Sequence, residues 1–119
     1  MATREQQLEA SQEYIKLAKT EKERESQRVA RDKTKTFLVT SQTAHESDPT
    51  NAAKASKYEH DKAAAELDQT LLNSCDGSVQ MDRGKLLVKA TAICGGDTAA
   101  GREIYDVAQK KAKDAAKGR

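Results

Sequence analysis

Pro49 is the one proline of the chain, and all six glycines lie at or beyond Gly77. Glycine and proline are the residues that destabilise a helix interior most, by about 1 and about 3 kcal/mol relative to alanine. Before Gly77 the sequence therefore has one strong helix-breaking position, which predicts two long helices joined near Pro49. The glycines that follow predict shorter helices separated by turns.

The composition offers little bulky apolar material for a core. Of the 119 residues, 34% are charged, three are tyrosine, one is phenylalanine and none is tryptophan. Such a composition is typical of elongated helices rather than of a compact globule. The predicted fold class is all-α. We expect a long antiparallel helical hairpin plus one or two shorter C-terminal helices, arranged either as a three- to four-helix bundle or as an extended coiled-coil-like hairpin.

We expect a single helical domain over residues 1–119. Its first helix is predicted over 3–39, where Thr3 and Gln6 form a capping-box pattern. The segment 19–28 contains no apolar side chain, which leaves open a break in this helix. The other predicted elements are a turn at 40–48, a helix over 49–75 that Asp48 and Pro49 begin, a loop at 76–84, a short helix over 85–94, a Gly-Gly turn at 95–96 and a helix over 98–117.

Apolar residues at helical spacing mark the predicted packing face. On the second helix this stripe runs through His60, Ala64, Leu67 and Leu71, with Leu72 beside it. Because most helix stability comes from packing an amphipathic face, a core this thin favours self-association or a protein partner. The residues predicted to form the packing or partner face are Leu8, Ile15, Val29, Phe37 and Leu38 on the first helix and Leu67, Leu71 and Leu72 on the second.

Charge is unevenly distributed, although the net charge is only +2. Residues 1–39 carry 9 basic and 7 acidic groups, residues 40–82 carry 3 and 8, and residues 83–119 carry 9 and 4. An acidic middle helix between basic neighbours favours antiparallel packing within one chain. The same pattern is compatible with head-to-tail assembly of several chains.

Basic residues recur along the first helix and in the tail at 110–119, and this pattern suggests contacts with nucleic-acid phosphates. Glu21, Glu23, Glu25 and Asp32 interleave with the first group, and no aromatic residues are placed to stack on bases. Nucleic-acid binding is therefore the alternative hypothesis. The candidate phosphate contacts are Lys16, Lys19, Arg28, Arg31, Lys35, Lys110, Lys111 and Lys113, with Lys117 and Arg119 completing the basic tail.

No group of residues in the sequence predicts catalysis, a metal site or a bound cofactor. His60 has Glu59 and Asp61 as neighbours, but adjacent helical positions point about 100° apart and do not converge on one ion. Positions 56 and 64, at the useful spacing from His60, are serine and alanine, and His45 is the other histidine. A phosphorelay role for His60 is a minor alternative that no other feature supports.

Cys75 and Cys94 each lie near the end of a predicted helix. We expect two free, partly buried thiols in a reducing compartment. A disulfide between them is left open for the case in which their helices are antiparallel neighbours, since the two Cα atoms must lie within about 7 Å.

Together these patterns predict a non-enzymatic helical protein–protein interaction module, such as an adaptor, scaffold or regulatory subunit, that self-associates. No run approaches the roughly 20 apolar residues of a membrane span, and the N-terminus lacks the apolar core of a signal peptide. We therefore expect a cytoplasmic protein. Export by a route that does not cleave a signal peptide is left open.

Overall fold

The computed structural model describes residues 2–118, which form four α-helices and no strand. In chain order these are α1 (Arg4–Glu9), α2 (Gln12–Ser47), α3 (Ala52–Ile93) and α4 (Thr98–Ala116). The predicted all-α fold class is confirmed.

The first predicted helix is interrupted at Ala10 and Ser11, and α2 then continues without a break through 19–28. The capping box at Thr3 is present, because the Thr3 hydroxyl accepts from the Gln6 N–H at 3.1 Å and the Gln6 side chain accepts from the Thr3 N–H at 2.9 Å. The Ser11 hydroxyl donates to the Leu8 carbonyl at 2.5 Å and accepts from the Tyr14 N–H at 3.2 Å. One serine side chain therefore ends α1 and receives a backbone donor in the first turn of α2.

The predicted end of this helix at residue 39 is wrong, because α2 extends to Ser47. Hydroxyl side chains in the polar stretch donate to carbonyls four residues earlier, as Thr43 does to Val39 at 2.9 Å and Ser47 does to Thr43 at 2.8 Å. These bonds keep the hydroxyls inside the helical pattern, so the predicted turn at 40–48 is helical up to Ser47.

The second helix begins later than predicted, at Ala52 rather than at Pro49. The Asn51 side-chain oxygen accepts from the Lys54 N–H at 3.2 Å, which makes Asn51 the residue that caps this helix. Asp48 instead accepts from the Asn51 side-chain amide at 3.2 Å across the turn.

The predicted loop at 76–84 is also wrong, since α3 passes through it and includes the predicted short helix at 85–94 up to Ile93. Gly77 and Gly84 are helical, and the burial of Val79 and Leu86 nearby offsets their helix-weakening effect. The chain turns at Gly95 and Gly96, whose φ values of 66° and 92° favour glycine. Asp97 then caps α4 by accepting from the Ala100 N–H at 3.1 Å.

Residues group into two compact units, and the single domain predicted over 1–119 stays a prediction. Unit 1 comprises Met1–Glu25 and Cys75–Arg119, and unit 2 comprises Ser26–Ser74. The boundaries fall inside α2 and inside α3, so each unit contains segments of both helices.

Unit 1 holds the apolar core. In this unit α4 packs closely on α3, since a Cβ added to Gly101 would lie 2.7 Å from the Thr91 Cα. Lys111 of α4 pairs with Glu9 of α1 at 2.7 Å. The buried core residues are Leu8, Leu17, Val79, Leu86, Ala90, Cys94, Ile104, Ala108 and Ala112.

Unit 2 is an antiparallel pair of helical segments whose contact is mostly polar. Arg31 donates to the Gln69 side chain at 3.0 Å, and Gln27 donates to the Asp68 carbonyl at 3.2 Å. Nearer the turn, the His45 and Tyr58 rings stack with their centroids 5.4 Å apart. Polar side chains therefore occupy positions that leucine or valine fills in most paired helices.

Candidate interaction surface

Unit 2 exposes more bulky apolar side chains than it buries. Among residues 26–74, all of which the structure describes, Leu72 is the buried apolar side chain, together with the polar residues Ser41 and Asp61. Phe37 is 59% exposed and Leu67 is 60% exposed. Val29, Val39 and Leu71 are exposed as well.

The helical register of α3 explains this arrangement. Its contact face repeats every seven residues through Tyr58, Ala65 and Leu72, and continues in unit 1 with Val79 and Leu86. Leu67 and Leu71 lie off this repeat, so the stripe predicted through them is wrong by about one residue.

The predicted packing face therefore divides into two groups. Leu8 and Leu72 are buried and Leu38 is half-buried, which places these three residues in packing contacts. The other five side chains are exposed, so the prediction that they pack within the chain is wrong. As a partner face they stay a prediction, and they are Ile15, Val29, Phe37, Leu67 and Leu71.

Shallow grooves follow the exposed face of α2 in unit 2. One of about 320 Å³ lies between Val29 and Phe37, with Lys33 and Thr36 beside it. Another of about 400 Å³ runs past Thr36 and Val39. In the first depression, Val29 and Phe37 offer apolar surface that a side chain of another helix can contact.

The two helical segments of unit 2 carry opposite charge. Residues 26–47 of α2 contain four basic and two acidic groups, whereas residues 52–74 of α3 contain three basic and four acidic groups. The α2 segment thus has a net charge of +2 and the α3 segment a net charge of −1, so two copies of the unit can pair segments of opposite sign.

Half of the predicted phosphate contacts already have carboxylate partners. Arg28 and Arg31 both pair with Asp32, at 2.7 and 2.9 Å. Lys111 pairs with Glu9 at 2.7 Å, and Lys16 lies 4.0 Å from Asp82. The remaining candidates, Lys19, Lys35, Lys110 and Lys113, are exposed, and Arg119 lies outside the described residues.

Glu21 and Arg83 form a buried ion pair in unit 1 that sequence reasoning missed. The Glu21 carboxylate is 2% exposed and accepts from Arg83 Nε at 2.9 Å and from Arg83 Nη2 at 2.5 Å. Arg24 pairs with Asp76 on the same two helices. Glu21 lies in the segment 19–28, which contains no apolar side chain, and no local pattern points to an arginine 62 positions away.

Asp61 is the buried carboxylate of unit 2. The hydroxyl of Ser41 holds the pKa of Asp61 below its usual value, helped by His60 and Lys57. His60 Nδ1 lies 3.5 Å from the Asp61 carboxylate, and Lys57 lies 3.4 Å from it. Within residues 2–118 no group of three His, Cys, Asp or Glu side chains is arranged to hold a metal ion.

The remaining pKa shifts have packing causes. Burial raises the pKa of Tyr14 and of Tyr105. The hydrogen bond to Glu9 raises the pKa of Lys111. Each shift is thus accounted for by a contact inside the core or at its rim.

Cys75 and Cys94 are both free; Cys75 lies on α3, and Cys94 directly follows Ile93, the last residue of that helix. Because all residues between them are helical, the nineteen positions from one to the other span about 28 Å at 1.5 Å per residue. That separation excludes the disulfide left open above, because bridged Cα atoms lie within about 7 Å.

Within residues 2–118, none of the helices combines the length and the apolar character needed to cross a membrane. Comparisons with protein-family models, with curated proteins and with solved structures gave no match.

Proposed function

We propose that the chain is a non-enzymatic, cytoplasmic helical interaction module, serving as an adaptor, scaffold or regulatory subunit, that self-associates through unit 2. The observation that supports this is that unit 2 exposes most of its bulky apolar side chains and buries polar ones. Its helices meet through polar side chains, while Phe37 and Leu67 are exposed. Because packing of apolar faces supplies most helix stability, such a pair gains stability when a second surface covers those faces.

A second copy of the chain is the occupant that the charges favour. In an isologous dimer, the positive α2 segment of one copy lies against the negative α3 segment of the other. The same arrangement brings Val29 and Phe37 of one copy towards Leu67 and Leu71 of its partner copy. Apolar burial and charge pairing then reinforce each other.

The mass in solution tests this proposal. We expect light scattering on a sizing column, in reducing buffer, to give twice the 13.0 kDa of one chain or a higher multiple. Phe37→Asp and Leu67→Asp are expected to give monomers, since each places a charge in the apolar contact. The matched control is Val107→Asp, at a valine on α4 in unit 1 that is 50% exposed.

A parent protein that remains monomeric at about 100 μM contradicts self-association, because the proposed contact then has a Kd weaker than that. Variants that keep the parent's mass contradict the assignment to unit 2. If Val107→Asp alone dissociates the assembly, the contact belongs to unit 1 instead.

Nucleic-acid binding is the alternative, favoured by the exposure of Lys19, Lys35, Lys110 and Lys113. It predicts measurable binding to a DNA duplex at about 50 mM salt that weakens steeply by about 200 mM. Replacing these four lysines with glutamine is expected to abolish such binding and to leave the oligomeric mass unchanged. Absence of binding at the lower salt concentration removes this alternative.

A further inference from the structure

A second exposed strip runs along α3 in unit 1. Gly77, Met81, Gly84, Val88 and Ala92 recur at intervals of three and four residues, so they share one face of the helix. Met81 is 63% exposed and Val88 is 73% exposed. Small and large side chains alternate along this strip.

Packing inside the chain does not require the two glycines. A Cβ added to Gly77 or to Gly84 would meet nothing within 4 Å, whereas a Cβ at Gly101 would collide with Thr91. Glycine weakens a helix interior, so these two positions lose helix stability without any gain in packing within the chain. They leave notches beside Met81 and Val88 where the backbone of another helix can approach closely.

The strip borders a groove of about 610 Å³. Met81, Gly84 and Val88 line it, and Lys85 and Lys89 stand one helical turn apart on its edge. Within residues 2–118, neither lysine has an ion-pair partner. Glu13 of α2 is the one acidic residue in the lining, so the groove has a positive edge.

We propose that this strip binds an amphipathic helix of another protein. The small and apolar residues of that helix face Gly84 and Val88, and acidic residues lie on either side of its apolar face. The lysines select this occupant by charge complementarity. A second copy bound through the same strip is disfavoured, because a twofold axis near Gly84 would bring the two Lys85 side chains together. The inference goes beyond the proposed self-association, which uses unit 2.

Two synthetic peptides test the docking surface. Both are about three heptads long with leucine and alanine on one face, and they differ in carrying glutamate or lysine on the flanks. Fluorescence anisotropy at about 50 mM salt is expected to give a Kd of about 10 μM or tighter for the acidic peptide and at least about tenfold weaker binding for the basic one. Circular dichroism checks that every variant stays helical.

Variants of the strip then locate the binding. Gly84→Leu, which fills the notch, and Val88→Asp are each expected to weaken binding of the acidic peptide at least about tenfold. Should Val88→Asp unfold the chain, the double variant Lys85→Glu with Lys89→Glu tests the proposal instead, because Lys85 is exposed and Lys89 half-buried, and reversing both charges is expected to reverse the preference between the peptides. Phe37→Asp, in unit 2, is the matched control and is expected to bind the acidic peptide as the parent does.

The inference is overturned if the acidic peptide does not bind at about 100 μM, if both peptides bind alike, or if Gly84→Leu leaves binding unchanged. A parent dimer that Val88→Asp dissociates while Phe37→Asp does not would assign the strip to a second copy, and this also overturns it. Self-association through unit 2 is measured separately by mass, so either proposal can fail while the other stands.

Discussion

Gly101 of α4 packs directly against the backbone of Thr91 in α3. A Cβ at position 101 would lie 2.7 Å from the Thr91 Cα and 2.9 Å from its amide nitrogen. Neither backbone atom can move aside as a flexible side chain can, so the contact requires glycine.

Gly101→Ala is therefore expected to destabilise unit 1. Overpacking of this kind costs about 1 to 3 kcal/mol, because the helices must separate to admit the methyl group. Urea denaturation followed by circular dichroism measures the loss in the free energy of unfolding. Gly84→Ala is the matched control and is expected to stabilise the chain by up to about 1 kcal/mol, since its Cβ meets nothing within 4 Å. Equal shifts in the same direction for both variants would contradict the close approach at Gly101.

Leu72→Ala and Leu71→Ala test the register of α3. Leu72 is buried against α2, so its truncation is expected to cost about 2 to 5 kcal/mol of unfolding free energy. Leu71 is exposed, and its truncation is expected to cost less than about 1 kcal/mol when the protein is dilute enough to be monomeric. Thermal or urea unfolding distinguishes the two variants. A larger loss for Leu71→Ala would restore the register predicted from the sequence.

The helical class was predictable because the chain lacks glycine before Gly77, but two boundaries were not. Hydrogen bonds from the Ser11 side-chain hydroxyl to backbone groups accompany the end of α1 at Glu9, without any glycine or proline. At Gly77, burial of Val79 and Leu86 outweighs the local preference for a turn. Local propensity sets the class, and packing decides where individual helices end.

The sequence was enough to name the residues of the candidate surface, but not to decide which of them pack within the chain. Leu67, Leu71 and Leu72 fit two registers, and the facing positions of α2 are polar, so no apolar partner on α2 selects one of them. The sequence named Phe37 and Leu67 as packing or partner residues, and their exposed side chains do not pack within the chain. The Glu21–Arg83 pair joins distant positions, and recognising it required the register that the sequence left undetermined.

Arg83→Met is expected to destabilise unit 1 by about 3 kcal/mol, because it leaves the Glu21 carboxylate buried without its counter-charge. Replacing both residues, Glu21→Met with Arg83→Met, removes the stranded charge and is expected to cost less than Arg83→Met alone. A double-mutant cycle from urea denaturation gives the coupling energy. Additive losses in the double variant would show that the two side chains act independently.

Lowering the pH is expected to weaken unit 2 through Asp61. Its folded-state pKa is depressed, chiefly by the Ser41 hydroxyl, so the stabilisation is present above the unfolded-state pKa of about 3.9 and is lost as the pH falls through the lower folded-state value. Thermal melts between about pH 6 and pH 3 should show a shallower decline for Asp61→Asn than for the parent. Ser41→Ala is expected to reduce the same dependence, whereas the exposed control Glu66→Gln keeps the parent's slope. Identical acid slopes for the parent and Asp61→Asn would mean that other carboxylates govern acid unfolding, because removal of this buried charge would then leave the proton balance between folded and unfolded states unchanged.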